Sequence, residues 1–249
     1  MYPANADRIL DHLNQGDLVL DIGGWACPFN RANYVMDAES FETRGFYRTV
    51  GLPDHQGGEE EHFDEGRWIR RDICGREPYP FPDKHFDFVI CSHVLEDIRD
   101  PLWVCDEMIR IGKRGYVEVP SRVAETCRGW EHPRTAGLSH HRWLIDIGEN
   151  HITFLPKLHA IHSHWRFSLP ASHFRHLPER ERVQWLFWEG GFTYDERVIH
   201  GLDNQLAELE SFVRRAAPYS PTRLGIDAVS RRIAALARRV AGGFVRRLG

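Results

Sequence analysis

Three aspartates close short apolar runs: Asp21 in Leu18-Val19-Leu20-Asp21-Ile22-Gly23-Gly24, Asp37 in Tyr34-Val35-Met36-Asp37, and Asp72 in Trp68-Ile69-Arg70-Arg71-Asp72. If the runs are neighbouring parallel strands, the acids share one edge, and Gly23 and Gly24 let backbone approach a ligand there. A carboxylate at Asp37 can accept both ribose hydroxyl hydrogens of a nucleoside. At Asp72 it can accept an adenine amino hydrogen, while the backbone NH of Ile73 faces a ring nitrogen. Histidine is the side chain best matched to proton transfer at neutral pH, and the chain has fifteen. His93 follows another apolar run, and Ser139-His140-His141-Arg142-Trp143 offers base, cation and aromatic platform within five residues.

Apolar runs at residues 86–91 and 116–119 add two further strands, and Pro101 opens a helix carrying Trp103, Val104, Met108 and Ile109 at helical spacing. Strands alternating with helices predict an α/β, doubly wound Rossmann-like sheet. Only nine residues separate Gly24 from Tyr34, so the first crossover helix is expected to be about one turn, starting near Pro28. Residues 38–67 are long and polar and read either as a mobile excursion or lid or as a plain solvated loop. After Pro120 the chain turns rich in His and Trp. Residues 152–168 and 183–200 are expected to complete the sheet, with an antiparallel hairpin after Gly190-Gly191, and 203–216 reads as helical. The expected division is 1–202 as the main domain, with 122–182 an acceptor-binding insertion, and 203–249 as a helical extension.

Mean hydropathy of -0.47 and the absence of an 18-residue apolar run argue against a spanning helix, and no basic-then-apolar leader opens the sequence. A cytoplasmic setting is the expectation, with the five scattered cysteines reduced. Residues 222–249 hold seven arginines against Asp227, a net of +6, leaving -10 for the rest of a chain of net charge -4. Such a body is a poor nucleic-acid clamp. Ile226, Val229, Ile233, Leu236, Val240, Phe244 and Leu248 recur at helical spacing in that basic stretch, which suits either peripheral contact with the inner membrane face or docking and self-association.

The stretch Pro80-Phe81-Pro82-Asp83-Lys84-His85-Phe86-Asp87-Phe88-Val89-Ile90-Cys91-Ser92-His93-Val94-Leu95-Glu96-Asp97-Ile98-Arg99-Asp100-Pro101 resembles the PFPDxxFDxVxxxHVLEHxxDP segment of class I S-adenosylmethionine-dependent methyltransferases of the UbiE/UbiG-like, methyltransferase type 11 group. The resemblance spans roughly residues 15–121. It implies a seven-stranded sheet with an antiparallel last strand and S-adenosyl-L-methionine as cofactor. By matching position it makes Asp21, Gly23 and Gly24 the methionine-end loop and Asp37 the ribose acid. Asp72 with Ile73 becomes the adenine site, and Cys91 a backbone contact beside the methionine moiety. The first loop, Gly23-Gly24-Trp25-Ala26-Cys27-Pro28, departs from the group's GxGxG.

Methyl transfer to a neutral hydroxyl needs a base, for which His140, His141 and His93 are the candidates. The preferred acceptor is a saccharide or lipid-linked glycan hydroxyl, with Trp130, Trp143, Trp165, Trp185 and Trp188 as core or as stacking platforms. The alternatives are a small aromatic or quinone-like acceptor, or a catalytically idle nucleoside-binding module. No metal is expected: consecutive histidines seldom point at one ion, and no HxxxH pattern joins Glu131, His132, His140 and His141.

Overall fold

The structure, a computed structural model, describes residues 1–216 with Val229 and Ile233. The rest of the basic stretch 222–249 lies outside the described residues. Among the described residues nine strands form: β1 (Val19–Ile22), β2 (Tyr34–Asp37), β3 (Trp68–Arg70), β4 (Phe88–Ser92), β5 (Arg114–Pro120), β6 (Trp143–Gly148), β7 (His151–Pro156), β8 (Val183–Glu189) and β9 (Thr193–Glu196). The helices are α1 (Pro3–His12), α2 (Pro101–Ile111), α3 (Arg122–Thr126), α4 (Ala160–Ser163), α5 (Ala171–His176) and α6 (Leu202–Ala216).

The main sheet has the order β3-β2-β1-β4-β5-β8. Its first five strands are parallel, and β8 runs antiparallel to β5. Every residue of β1 is buried, as is all of β4 up to Ser92, which explains their uninterrupted apolar runs: a parallel sheet is covered on both faces. α2 begins at Pro101, whose missing N–H costs nothing there, and the Asp100 carboxylate accepts the Trp103 N–H at 3.2 Å. The helix lays Val104, Cys105, Met108 and Ile111 onto the core shared with β1, β4 and β5.

The fold is the expected doubly wound α/β architecture, with six strands in the main sheet rather than seven. β9 corrects the expected hairpin: it pairs in parallel with β7, which is antiparallel to β6, in a separate three-stranded sheet. Ile145, Ile152 and Phe154 of that sheet join the core of the main one. Apolar content alone does not choose between two sheets that share one core.

No helix forms near Pro28. The β1–β2 connection is a turn in which Ala32 N–H donates to the Phe29 carbonyl at 2.8 Å. The face that a crossover helix would cover is filled by the 38–67 excursion, which carries short 3-10 turns at Phe41–Thr43, Phe46–Val50 and Glu65–Arg67. Phe63 and Trp68 pack with Phe29, Val19, Val35 and Ile9. Backbone hydrogen bonds fasten this excursion to the first loop: Gly45 N–H to Trp25 O (2.9 Å), Tyr47 N–H to Ala26 O (3.1 Å), Gln56 N–H to Pro28 O (3.0 Å) and Asn30 N–H to Gln56 O (2.6 Å). It is a packed structural element rather than a plain solvated loop.

The described chain forms two units. Met1–Arg122, His140–Lys157 and Pro178–Val198 make up the sheet-bearing unit. The second holds Val123–Ser139, Leu158–Leu177 and the described residues from Ile199 on. In that second unit Cys127, Leu169 and Val213 form a small buried cluster, with Trp165 and Phe174 against it. Arg128 donates there to Ser168 Oγ and the His162 carbonyl, both at 2.6 Å. The segment read as one insertion, 122–182, is thus shared between the units.

Candidate functional site

Parallel pairing sets Ile22 of β1 beside Met36 of β2 and Cys91 of β4, Asp37 beside Arg70 of β3, and Ser92 beside Glu118 of β5. The carboxyl ends of five strands therefore form one row, the usual binding edge of such sheets. Gly23 leaves β1 with φ +76°, and its N–H donates to the Met36 carbonyl at 2.8 Å. A Cβ on Gly23 would stand 2.2 Å from Val94 Cγ2, and one on Gly24 2.3 Å from Asp21 Oδ2, so both positions exclude a side chain.

Asp21 is buried beneath this loop and accepts the Phe29 N–H at 2.9 Å. Burial, against that bond and aided by the nearby Asp37, raises its pKa to about 7. Asp37 sits at the tip of β2 and accepts N–H groups from Trp25 (3.2 Å) and Glu39 (3.0 Å). Its pKa is also raised, by burial above all, so its charge is under-solvated and would be eased by further hydroxyl donors. Asp72 differs. It is half exposed, accepts the Cys74 N–H at 2.9 Å, and is bonded by Arg99 at 2.5 Å, which holds its carboxyl below the usual range. Ile73, next along, is buried and its carbonyl accepts the Tyr79 hydroxyl. Cys91 is fully buried in β4, and burial pushes its thiol well up.

Beyond β4 the row turns acidic in a way the motif reading missed. His93 adopts a left-handed φ of 57°, its N–H donates to the Glu118 carbonyl at 2.8 Å, and its Nε2 meets Glu118 Oε1 at 3.0 Å. Its Nδ1 lies 3.5 Å from Glu96 Oε1. Burial acts to lower the imidazole pKa, but the bonds to Glu118 and Glu96 outweigh it and lift it to about 9. Glu118 is buried too, yet His93 and the Tyr116 hydroxyl hold it down to about 2. His93 thus has both ring nitrogens facing carboxylates, an arrangement that favours the protonated imidazole over one with a lone pair turned toward a substrate.

His140 and His141 stand just before β6, where Arg142 and Trp143 N–H groups both donate to the Glu96 carbonyl (2.7 and 3.1 Å). The two rings meet edge to face with centroids 4.7 Å apart, and each Nε2 lies 3.7 Å from the same oxygen, Asp97 Oδ1. His141 is buried and His140 exposed. Tyr47, carried in by the excursion, has its phenol pKa raised first by burial and further by the charges of Cys27, Glu96 and Asp97. Nothing in the sequence around Tyr47 signals that placement. Beside the Asp72–Arg99 pair, a cleft of about 580 Å³ is lined by Cys74, Arg76, Asp100, Leu102 and Trp143.

The indoles read as stacking platforms are engaged elsewhere: Trp143 Nε1 donates to the Ile98 carbonyl, Trp188 is buried, Trp185 stacks on Tyr2 and Trp130 on Phe174. Glu131 and His132 belong to the second unit, where they accept N–H groups from Ser139 and Arg134.

Residues 4–131, half of the sequence, match the family model described as methionine biosynthesis protein MetW. The chain belongs to the MetW family. The match covers the strand-tip row from Asp21 to Glu118 and includes the residue 80–101 motif. Among solved structures, the chain is similar to an S-adenosylmethionine-dependent methyltransferase from Mesorhizobium loti (16% identity, 62% of this chain and 63% of that one, TM-score 0.35). It is also similar to one from Methanosarcina mazei (19%, 59% and 87%, TM-score 0.34). A third is a chain of the Haloferax volcanii complex between the Trm112 methyltransferase activator and a methyltransferase (19%, 48% and 53%, TM-score 0.33). The chain spans about half the length of this last structure and of others like it. No curated protein matches the sequence. No described helix is long and apolar enough to cross a membrane.

Proposed function

We propose that this protein binds S-adenosyl-L-methionine along the carboxyl edge of its main sheet and transfers the methyl group to a hydroxyl oxygen of a small polar acceptor. The observation that carries the reading is Asp37: a half-buried, under-solvated carboxylate at the tip of β2, one strand from a glycine loop that admits no Cβ. Such a carboxylate suits a ribose diol, and the bare Gly23-Gly24 backbone suits the methionine end of the donor. Asp72 keeps lone pairs for an adenine amino group beside its bond to Arg99, with Ile73 and Cys91 completing the row. Bound there, the donor supplies a sulfonium-activated methyl group, so the protein's part is chiefly alignment and proton handling.

The imidazolium of His93, pinned between Glu118 and Glu96, is a positioning group: it braces the β4 and β5 tips and sets positive charge among the acids. His140 and His141 are the groups left to meet an acceptor proton. The family's description, methionine biosynthesis, accords with a chain that handles a methionine-derived donor. A glycan acceptor is the weaker part of the reading, because four of the five indoles that would stack on a sugar are packed against other groups. The basic stretch 222–249 would serve peripheral contact with an anionic surface.

Calorimetry with S-adenosylmethionine, followed by an S-adenosylhomocysteine release assay across amino-acid, saccharide and aromatic hydroxyl acceptors, tests the proposal. Binding with turnover on one class is the expected result. Binding with no turnover on any class favours the idle nucleoside-binding module, and no binding overturns the reading.

A further inference from the structure

We infer that Asp97, His140 and His141 form a binding site for one divalent transition-metal ion of the zinc or cobalt type. One ligand atom from each lies within 4.8 Å of the others, the only such group of three found among the described residues. Each histidine Nε2 stands 3.7 Å from Asp97 Oδ1. Ligands held about 2.0–2.2 Å from a zinc ion are roughly 3.3–3.5 Å apart around a tetrahedron, so both His–Asp97 edges already stand within a few tenths of an ångström of that spacing.

The chemistry of the set points the same way. Two imidazoles with one carboxylate favour zinc, cobalt or iron(II) over magnesium, which prefers an all-oxygen shell. The frame is also preassembled. Arg142 and Trp143 N–H groups hold the Glu96 carbonyl, so the segments carrying the ligands are clamped to one another immediately beside the ligating atoms. Burial of His141 fixes one ring, while the exposed ring of His140 leaves an entry path. The expectation that consecutive histidines diverge fails here because the chain bends between them, turning the rings edge to face.

Three protein ligands leave at least one coordination position open. If the methyl-transfer reading holds, the two imidazoles would act on the acceptor through the ion and not as free bases: an acceptor hydroxyl coordinated there would lose its proton to solvent more readily; the binding site itself stands without that reading.

The experiment is titration of the full chain with Co²⁺, read by visible ligand-field absorption, with Zn²⁺ competition to displace it. One equivalent of Co²⁺ is expected, with Asp97→Asn, His140→Ala and His141→Ala each weakening it by at least about tenfold, the scale on which even outer-shell changes act. His12→Ala and His151→Ala, far along the sequence from the three ligands, should leave it unchanged. His140 is exposed and Asp97→Asn preserves shape, so these two decide the matter should His141→Ala fail to fold by circular dichroism. Absence of a tight equivalent in the unaltered chain, or one that survives both Asp97→Asn and His140→Ala, overturns the site. Because the readout is absorption and not turnover, a chain that binds Co²⁺ but transfers no methyl group refutes only the functional reading.

Discussion

At the scale of the single residue, two carboxylates with the same sign of shift, Asp21 buried and Asp37 half-buried, carry different consequences. Asp37 faces the row where a diol would lie, so Asp37→Ala should weaken S-adenosylmethionine binding by about 1–3 kcal/mol, the cost of leaving buried hydroxyls unpaired. Calorimetry checks this, and unchanged affinity would remove the ribose role. Asp21 lies under the loop, where its effect is on folding. Its folded-state pKa of about 7 exceeds the ordinary 3.8. The unfolded chain thus gives up this proton first. Stability from this group is fully present below pH 3.8 and is lost as pH rises through about 7. Asp21→Asn, which keeps an oxygen for the Phe29 N–H, should flatten that decline, on the order of a few kcal/mol between the two limits. Denaturant midpoints from pH 4.5 to 8 decide it; parallel slopes for both proteins would mean the carboxyl titrates normally.

Among elements, the β4 and β5 tips are joined by the His93–Glu118 pair. His93 is raised from 6.5 to about 9, so its contribution is complete below pH 6.5 and disappears as pH climbs through 9. Glu118 is lowered from 4.5 to about 2, so its share is complete above pH 4.5 and fails only as pH drops through 2. His93→Asn, a residue that tolerates the left-handed backbone, should lower stability at pH 7 and abolish the alkaline decline; nitrogen-15 shifts of the imidazole should show it protonated up to pH 8. The excursion gives a second test. A Cβ on Gly57, at φ +75°, would stand 2.5 Å from the Phe29 ring. Gly57→Ala should cost about 1–3 kcal/mol by denaturation and speed amide exchange across residues 25–33; an unchanged midpoint would show that the excursion is not seated on that ring.

The parallel core was legible because β1, β4 and α2 carry their own signals: continuous apolar runs, a helix-opening proline and an acid that caps it. β9 was not, since Thr-Tyr-Asp-Glu has no apolar period and finds its place through pairing with β7 and the contact of Tyr194 with Asp106 of α2. The excursion was opaque for a similar reason. Its polar sequence hides Phe63, which joins Phe29 of the first loop and Trp68 of β3 in one cluster only when the three are brought together in three dimensions. The strand-tip acids could be read from the ends of apolar runs. Asp97 with the two histidines could not, because 43 positions separate Asp97 from His140 and the bonds that join their segments, to the Glu96 and Ile98 carbonyls, form only in the fold.

For the molecule as a whole, charge is segregated. Residues 222–249 carry +6 and the remainder -10. The full chain should sediment with anionic vesicles at low ionic strength and release within a few hundred millimolar salt, as the Debye length shrinks to a few ångströms. A chain lacking residues 222–249 should stay in the supernatant and bind S-adenosylmethionine as before. Co-sedimentation of the shortened chain would place the attraction elsewhere. The chain's division into a sheet-bearing unit and a second, smaller cluster also means that damage to the Cys127–Leu169–Val213 cluster should be read apart from damage to the sheet.

The four backbone hydrogen bonds joining the loop after β1 to residues 45–56 have a bearing on inheritance. If the proposed donor site holds, a mutational scan scored on donor affinity should find sensitive positions in this polar stretch, because each substitution there tugs on the backbone of residues 25–30 that follows the two glycines. Insertions into that stretch would then retune donor affinity without altering Asp21, Gly23, Gly24 or Asp37.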